Sequence, residues 1–193
     1  MIKPRKQERK IIKIFIICFL IGSLIALIFY KNIDKDNLDI IINNIKENKT
    51  FFNIENNSIN HLKILSICVL FSLIYIGFPI FAGLLVGEGF NVFLKILFIN
   101  KIYKIKGIIY IVFYILLNYG FYIFVLLILF KRIINIIKHL YKNKFKKETL
   151  NYNLIFNSLI SSIILIIINF IYDYLLFLYG SNILNIFKSL CKI

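Results

Sequence analysis

The sequence predicts an all-α, polytopic integral membrane protein with five transmembrane helices, N-terminus inside and C-terminus outside. Three observations carry that expectation. Four separate apolar stretches run from Ile14 to Tyr30, Ile64 to Leu85, Ile108 to Phe130 and Leu154 to Leu178, and a helix needs about 20 predominantly apolar residues to traverse the hydrocarbon core. The 193 residues are 60% hydrophobic, with a mean hydropathy of +0.84, whereas soluble domains are roughly half apolar at most. The formal charge of +15 is crowded into particular gaps between the stretches. Basic residues flanking apolar spans orient a membrane protein and meet anionic lipid headgroups, so nucleic acid is not an expected partner. Plentiful Ile, Asn, Lys, Phe and Tyr with no Trp point to a low-GC bacterial genome.

The first span, 14–30, follows Lys3, Arg5, Lys6, Arg9 and Lys10, with Lys13 at its edge. That is a cytoplasmic flank. A signal peptide would have a shorter apolar region and a small-residue cleavage site. After Ala26 the chain reads Leu27, Ile28, Phe29, Tyr30, so the span is expected to be an uncleaved anchor.

Residues 31–63 then form an external loop. Lys31, Lys35, Lys46, Lys49 and Lys63 are balanced by Asp34, Asp36, Asp39, Glu47 and Glu55. Leu38, Ile41, Ile42 and Ile45 recur at helical spacing. Such a stripe suits a helix lying flat on the outer surface, or one docked against an extracytoplasmic partner. The loop is too short to bury a core of its own.

The gap 131–153 holds Lys131, Arg132, Lys138, Lys142, Lys144, Lys146 and Lys147 against Glu148. Four spans would leave it outside. A further crossing returns it to the cytoplasm and leaves only the short turn from Lys101 to Lys106 external. The apolar run 64–100 is therefore expected to divide into spans 64–83 and 84–100, a tight hairpin turning or kinking at Gly77, Pro79, Gly83, Gly87 or Gly89. A re-entrant segment over 84–100 is the rival arrangement. The last two spans are 108–130 and 154–178. Between them, Ile133, Ile134, Ile137, Leu140 and Tyr141 form one face of a basic amphipathic helix, expected to lie on an anionic inner leaflet.

Gly83 and Gly87 form a GxxxG step, with Gly89 following. Small residues at this spacing let helices approach closely in lipid, and packing within the chain is favoured over a dimer face. Lys95 and Asp173 fall at comparable depth in the outer half of the bilayer. Ionisable groups there are costly and normally face protein, so either the two pair or each snorkels to the nearer interface. Glu88 is expected near the cytoplasmic face, within reach of water. Asn118 and Asn169 are candidates for hydrogen bonds between helices, each worth on the order of 1 kcal/mol or less.

Catalytic machinery is not expected. His61 and His139 stand apart without metal-like spacing and suit the interface. Cys18 and Cys68 lie inside spans and Cys191 in the tail, without a disulfide or zinc pattern. There is no serine–histidine set, no phosphate-cradling loop and no paired carboxylates on one accessible face. No enzyme activity, cofactor or metal follows.

The order of landmarks resembles a known family. His61-Leu62-Lys63 enters an apolar span containing Gly77-Phe78-Pro79, a Gly89-Phe90 pair follows, and a span opened by Gly107 ends in Leu116-Leu117-Asn118-Tyr119. The last span carries Ile171-Tyr172-Asp173-Tyr174-Leu175. The stretch from Ile59 to Leu178 is similar to stage II sporulation protein M of spore-forming Firmicutes. It departs at Leu117, where the family has proline before asparagine, and at Tyr172, where the family has glutamate and this chain has Asp173 one residue later. The resemblance implies a non-enzymatic scaffold in the bacterial cell membrane, localising septal peptidoglycan-remodelling partners during engulfment, namely stage II sporulation proteins D and P. The competing class is a transporter or permease subunit, or another lipid- or solute-handling protein, with Glu88, Lys95 and Asp173 as pathway residues.

Overall fold

The computed structural model describes residues 6–47, 54–74, 77–104, 107–146 and 151–190, together with residue 149. Among them the chain forms α1 (Lys6–Lys31), α2 (Lys35–Glu47), α3 (Ile54–Phe71), α4 (Gly77–Tyr103), α5 (Gly107–Ile115), a π-helical turn (Leu116–Gly120), α6 (Phe121–Lys146) and α7 (Tyr152–Leu190). Four helices are long and apolar enough to cross a membrane: Arg9–Lys31, Gly77–Ile102, Ile111–Phe145 and Tyr152–Tyr179. The apolar part of α3, Ser58–Phe71, is shorter. Large apolar side chains stand exposed along α1 (Ile16, Leu20, Leu24, Ile28) and α7 (Ile160, Ile163, Ile167, Ile171, Leu175). Such patches are untenable in water and suit a lipid-facing surface. The protein is a multi-pass, all-helical membrane bundle.

The run 64–100 divides elsewhere than the sequence suggested. No break occurs at 83–84, because α4 runs unbroken through Gly83, Gly87 and Gly89. Breaking a helix at depth would strand backbone groups where no water can satisfy them, a larger penalty than glycine's weak helix propensity, about 1 kcal/mol per residue. The chain turns instead after Phe71. The Ser72 hydroxyl donates to the Val69 carbonyl at 2.6 Å, and the Gly77 amide donates to the Ile74 carbonyl at 2.8 Å. A β-carbon on Gly77 would collide with the Phe71 carbonyl oxygen, so the turn requires glycine there. Pro79 sits in the first turn of α4, where its missing N–H has no partner to lose.

Helix directions follow from side-chain pairs. Phe29 meets Phe90 and Tyr30 meets Phe98, with ring centroids 5.7 and 5.6 Å apart, so α1 and α4 run parallel. Phe130 stacks on Phe81 at 5.0 Å and meets Phe15 at 5.9 Å, so the middle of α6 lies beside the first half of α1 and the start of α4. Tyr172 of α7 reaches Leu117, and α7 returns antiparallel to α6.

The most extensive helix contact is α1 against α4. A β-carbon on Gly22 would strike the Val86 carbonyl oxygen, and one on Gly89 the Phe19 carbonyl oxygen. Ala26, four residues after Gly22, is fully buried. Ser23 donates to the Phe19 carbonyl at 3.0 Å, keeping its hydroxyl satisfied at the crossing. Gly83 and Gly87 take no part: they are exposed, with open space around them. The sequence favoured intramolecular packing for that GxxxG step, but it faces outward because Glu88 and Gly89 occupy the inner side of α4.

The amphipathic stretch 133–145 is helical, as expected, but it continues the preceding span without a break. The start of its apolar face is covered by protein, while Tyr141, further along, is exposed. Ile133 and Ile136 are buried, and Ile137 packs 3.6 Å from the β-carbon position of Gly77. In α2, Ile42 is buried, Leu38 and Ile41 are half-buried, and Ile40 is exposed. Lys49, Lys106, Lys147, Glu148 and Cys191 lie outside the described residues.

Candidate functional site

Polar groups from four helices converge inside the bundle. His61 of α3 and Asp173 of α7, separated by 112 positions, approach to 3.2 Å between Nδ1 and Oδ2. Both are 3% exposed. The Asn169 amide donates to the same carboxylate oxygen at 2.8 Å, one turn earlier on α7, and so fixes the orientation of Asp173. The imidazole lies flat on the ring of Tyr122, with centroids 3.8 Å apart and planes 9° from parallel, and meets the edge of Tyr119 at 5.6 Å.

From α4, the Lys95 ammonium donates to the Tyr119 hydroxyl and sits 5.2 Å from the centre of that ring. Glu88, two turns earlier on α4, is buried. Its carboxyl lies within electrostatic reach of His61 and Lys95 and beside the Tyr122 hydroxyl, which approaches without hydrogen-bonding geometry. Cys68, buried on α3, lies within electrostatic reach of Glu88 and Tyr122.

The π-helical turn explains why it and the start of α6 can each supply an aromatic ring. An extra residue per turn shifts the helix phase, and both Asn118 and Tyr119 end up buried. A wide turn loosens the i→i−4 ladder and exposes carbonyls that need donors. Asn118 donates to the Tyr114 carbonyl at 3.0 Å, and Tyr172 donates across to the Leu117 carbonyl at 2.9 Å.

Of the residues singled out from sequence, Glu88, Lys95 and Asp173 do meet in one region. Of the alternatives weighed for Lys95 and Asp173, the mutual pair does not form. Asp173 is bonded to His61 and Asn169 rather than to Lys95, and neither side chain is exposed. Glu88 is enclosed by protein instead of reaching water. Asn118 and Asn169 bond within their own helices, so neither bridges helices as anticipated. Gly77 and Pro79 shape the α3–α4 turn, and Gly89 packs on α1. His61, expected at the interface, is the hub of the cluster, while His139 is half-buried on α6.

Sequence reasoning quoted His61 and Tyr119 only as landmarks of a resemblance, without placing them in a polar cluster, and missed Tyr122, since tyrosine in an apolar span hides its polar tip among aromatic residues. It also missed Gly22, although Gly22 and Ala26 are small residues four apart, the same kind of signal given weight at Gly83. Cys18 and Cys68 are free thiols. No group of three or more His, Cys, Asp or Glu among the described residues is placed to hold a metal ion. Three surface hollows lie away from the cluster, bordered by Asn151–Ser161, by Tyr30 with Lys101, and by Phe15 with Ile123.

Chemically, the arrangement is a cross-brace. Glu88, Lys95, His61 and Asp173, from α3, α4 and α7, are held against Tyr119 of the π-helical turn and Tyr122 of α6 in low dielectric, where hydrogen-bonded polar groups resist separation. Compared with known proteins, the chain matches no family model, no curated protein and no solved structure.

Proposed function

We propose that the protein is a non-enzymatic membrane scaffold of the stage II sporulation protein M kind, which holds extracytoplasmic wall-remodelling proteins at the septum of a spore-forming bacterium. One observation supports this best. Polar landmarks of that resemblance (His61, Tyr119 and Asp173) lie far apart in sequence yet meet in one buried cluster. A role that needs a rigid platform explains residues spent on bracing helices rather than on an accessible site.

The orientation belongs to the same reading. Arg9, Lys10 and Lys13 on α1 share one end of the bundle with Lys131, Lys138 and Lys144 on α6. With α1, α3, α4, α5–α6 and α7 alternating in direction, that end is cytoplasmic, α3 is a short fifth crossing, and α2 and the turn after Tyr103 lie outside. The exposed Ile40 of α2 then faces partners such as stage II sporulation proteins D and P.

A photo-crosslinking residue at Ile40 is expected to capture exported wall-remodelling proteins in cells, and a reporter fused after Lys104 is expected to be active only outside. A cytoplasmic readout at Lys104, or no wall-protein adduct from Ile40, overturns the scaffold reading. The convergence of Glu88, Lys95 and Asp173 favours one alternative, a solute- or ion-transporting subunit. Proteoliposome flux abolished by neutralising these three residues would select it.

A further inference from the structure

An apolar groove of about 140 Å³ opens between α1 and α6, lined by Phe15, Ile16, Phe19, Leu20 and Ile123. Ile16 and Leu20 are about half exposed. The two helices run antiparallel along it, since Phe15 meets Phe130 at 5.9 Å while Leu20 faces Ile123.

That register determines what stands at its mouth. Lys13 precedes Phe15 by two residues, and Lys131 follows Phe130 by one, so both cations lie at the same level. Lys13, Ile16 and Leu20 share one face of α1, at spacings of three and four residues. Ile123, Leu127 and Lys131 share one face of α6 at spacings of four. Lys13 and Lys131 are both exposed. No Asp or Glu occurs within 9–31 or 121–146, and the acid of α1, Glu8, precedes Lys13 by five residues.

We infer that this groove is a binding site for one anionic phospholipid, its acyl chain along Ile16, Leu20 and Ile123 and its phosphate between Lys13 and Lys131. An alkyl chain matches a lining with no polar surface, and two cations at one end match a single charged headgroup; basic pockets between spanning helices bind anionic lipids in this way. The site is independent of the scaffold reading, because it depends only on the α1–α6 contact.

The test uses the full-length protein in detergent, with native mass spectrometry after titration by phosphatidylglycerol or phosphatidylethanolamine. One phosphatidylglycerol should bind at least about tenfold more tightly than phosphatidylethanolamine, and K13Q/K131Q should remove that preference. Leu20→Trp, which fills the groove without changing charge, should weaken binding by a similar factor. The matched control K31Q/K101Q removes the same charge at the opposite end and should leave it within about twofold. Equal loss in the control would mean diffuse attraction to a basic protein and would overturn the site. So would equal retention of the two lipids, no effect of Leu20→Trp, or a protein dimer in place of bound lipid.

Discussion

The α1–α4 crossing and the polar cluster joining α3, α4, α6 and α7 answer one problem by opposite means. In lipid there is no hydrophobic push between helices, so association needs close backbone contact or polar bonds. The α1–α4 pair uses the first: Gly22 and Gly89 let carbonyls of each helix approach the other's backbone. The second region uses charge and aromatic stacking around His61. The first should be intolerant of added volume, and the second of lost partners.

The sharpest way to break the comparison is Gly89→Ala. Its new methyl group meets the Phe19 carbonyl oxygen and adjacent backbone, which cannot rotate away as a side chain would. We expect destabilisation of about 3 kcal/mol or more, at or beyond the upper end of overpacking losses, seen as early thermal unfolding in detergent by circular dichroism. Gly22→Ala should behave alike. Wild-type stability in either would mean that the two helices are not in backbone contact.

Next comes Asp173→Ala, which strands the His61 imidazole and the Asn169 amide. A loss of about 3 kcal/mol is expected, the lower end for breaking a buried pair. In a double-mutant cycle with His61→Ala the losses should be non-additive by about 1 kcal/mol or more. Additive losses would separate the two residues energetically.

A finer contrast lies within the cluster. Tyr119→Phe removes one acceptor of the Lys95 ammonium and should destabilise by about 1–3 kcal/mol. Tyr122→Phe removes a buried hydroxyl without a hydrogen-bond partner and keeps the ring that stacks on His61. It should be neutral or slightly stabilising. Equal effects in unfolding midpoint would contradict the assigned partners.

The smallest effect is expected at the outward GxxxG step. Gly83→Ala and Gly87→Ala meet open space and add helix propensity, so stability should hold or rise by up to about 1 kcal/mol each. Loss of stability in the monomer would mean that this face packs on something.

Much of this architecture was legible in the sequence. Bilayer-length apolar runs announce the long helices, and the spacing of Leu38, Ile41 and Ile42 announces α2. Helix boundaries within 64–100 were not legible, because five glycine and proline positions offer equal excuses to turn. Only the hydrogen bonds of Ser72 and Gly77 choose between them. Glu88, Lys95 and Asp173 stood out because charge in an apolar span is conspicuous. Their partners did not, since helix rotation decides which side chains meet, and hydropathy carries no rotational information. The same limit hid Gly22 and gave Gly83 undue weight.

The π-helical turn at 116–120 acts as a phase slip between α5 and α6, each correct only relative to its own neighbours. Each α-helical residue advances the screw by about 100°. The wide turn absorbs one residue beyond the α-helical repeat, so excising one residue there would let it close into an ordinary α-helical turn, whereas excising one from α5 or α6 proper would counter-rotate the two segments and swing Ile111 and Tyr114 off the core. For this chain a lone deletion at 116–120 would be better tolerated than one elsewhere in 107–146, and the contrast would make a sensitive gauge of how far the two segments depend on each other.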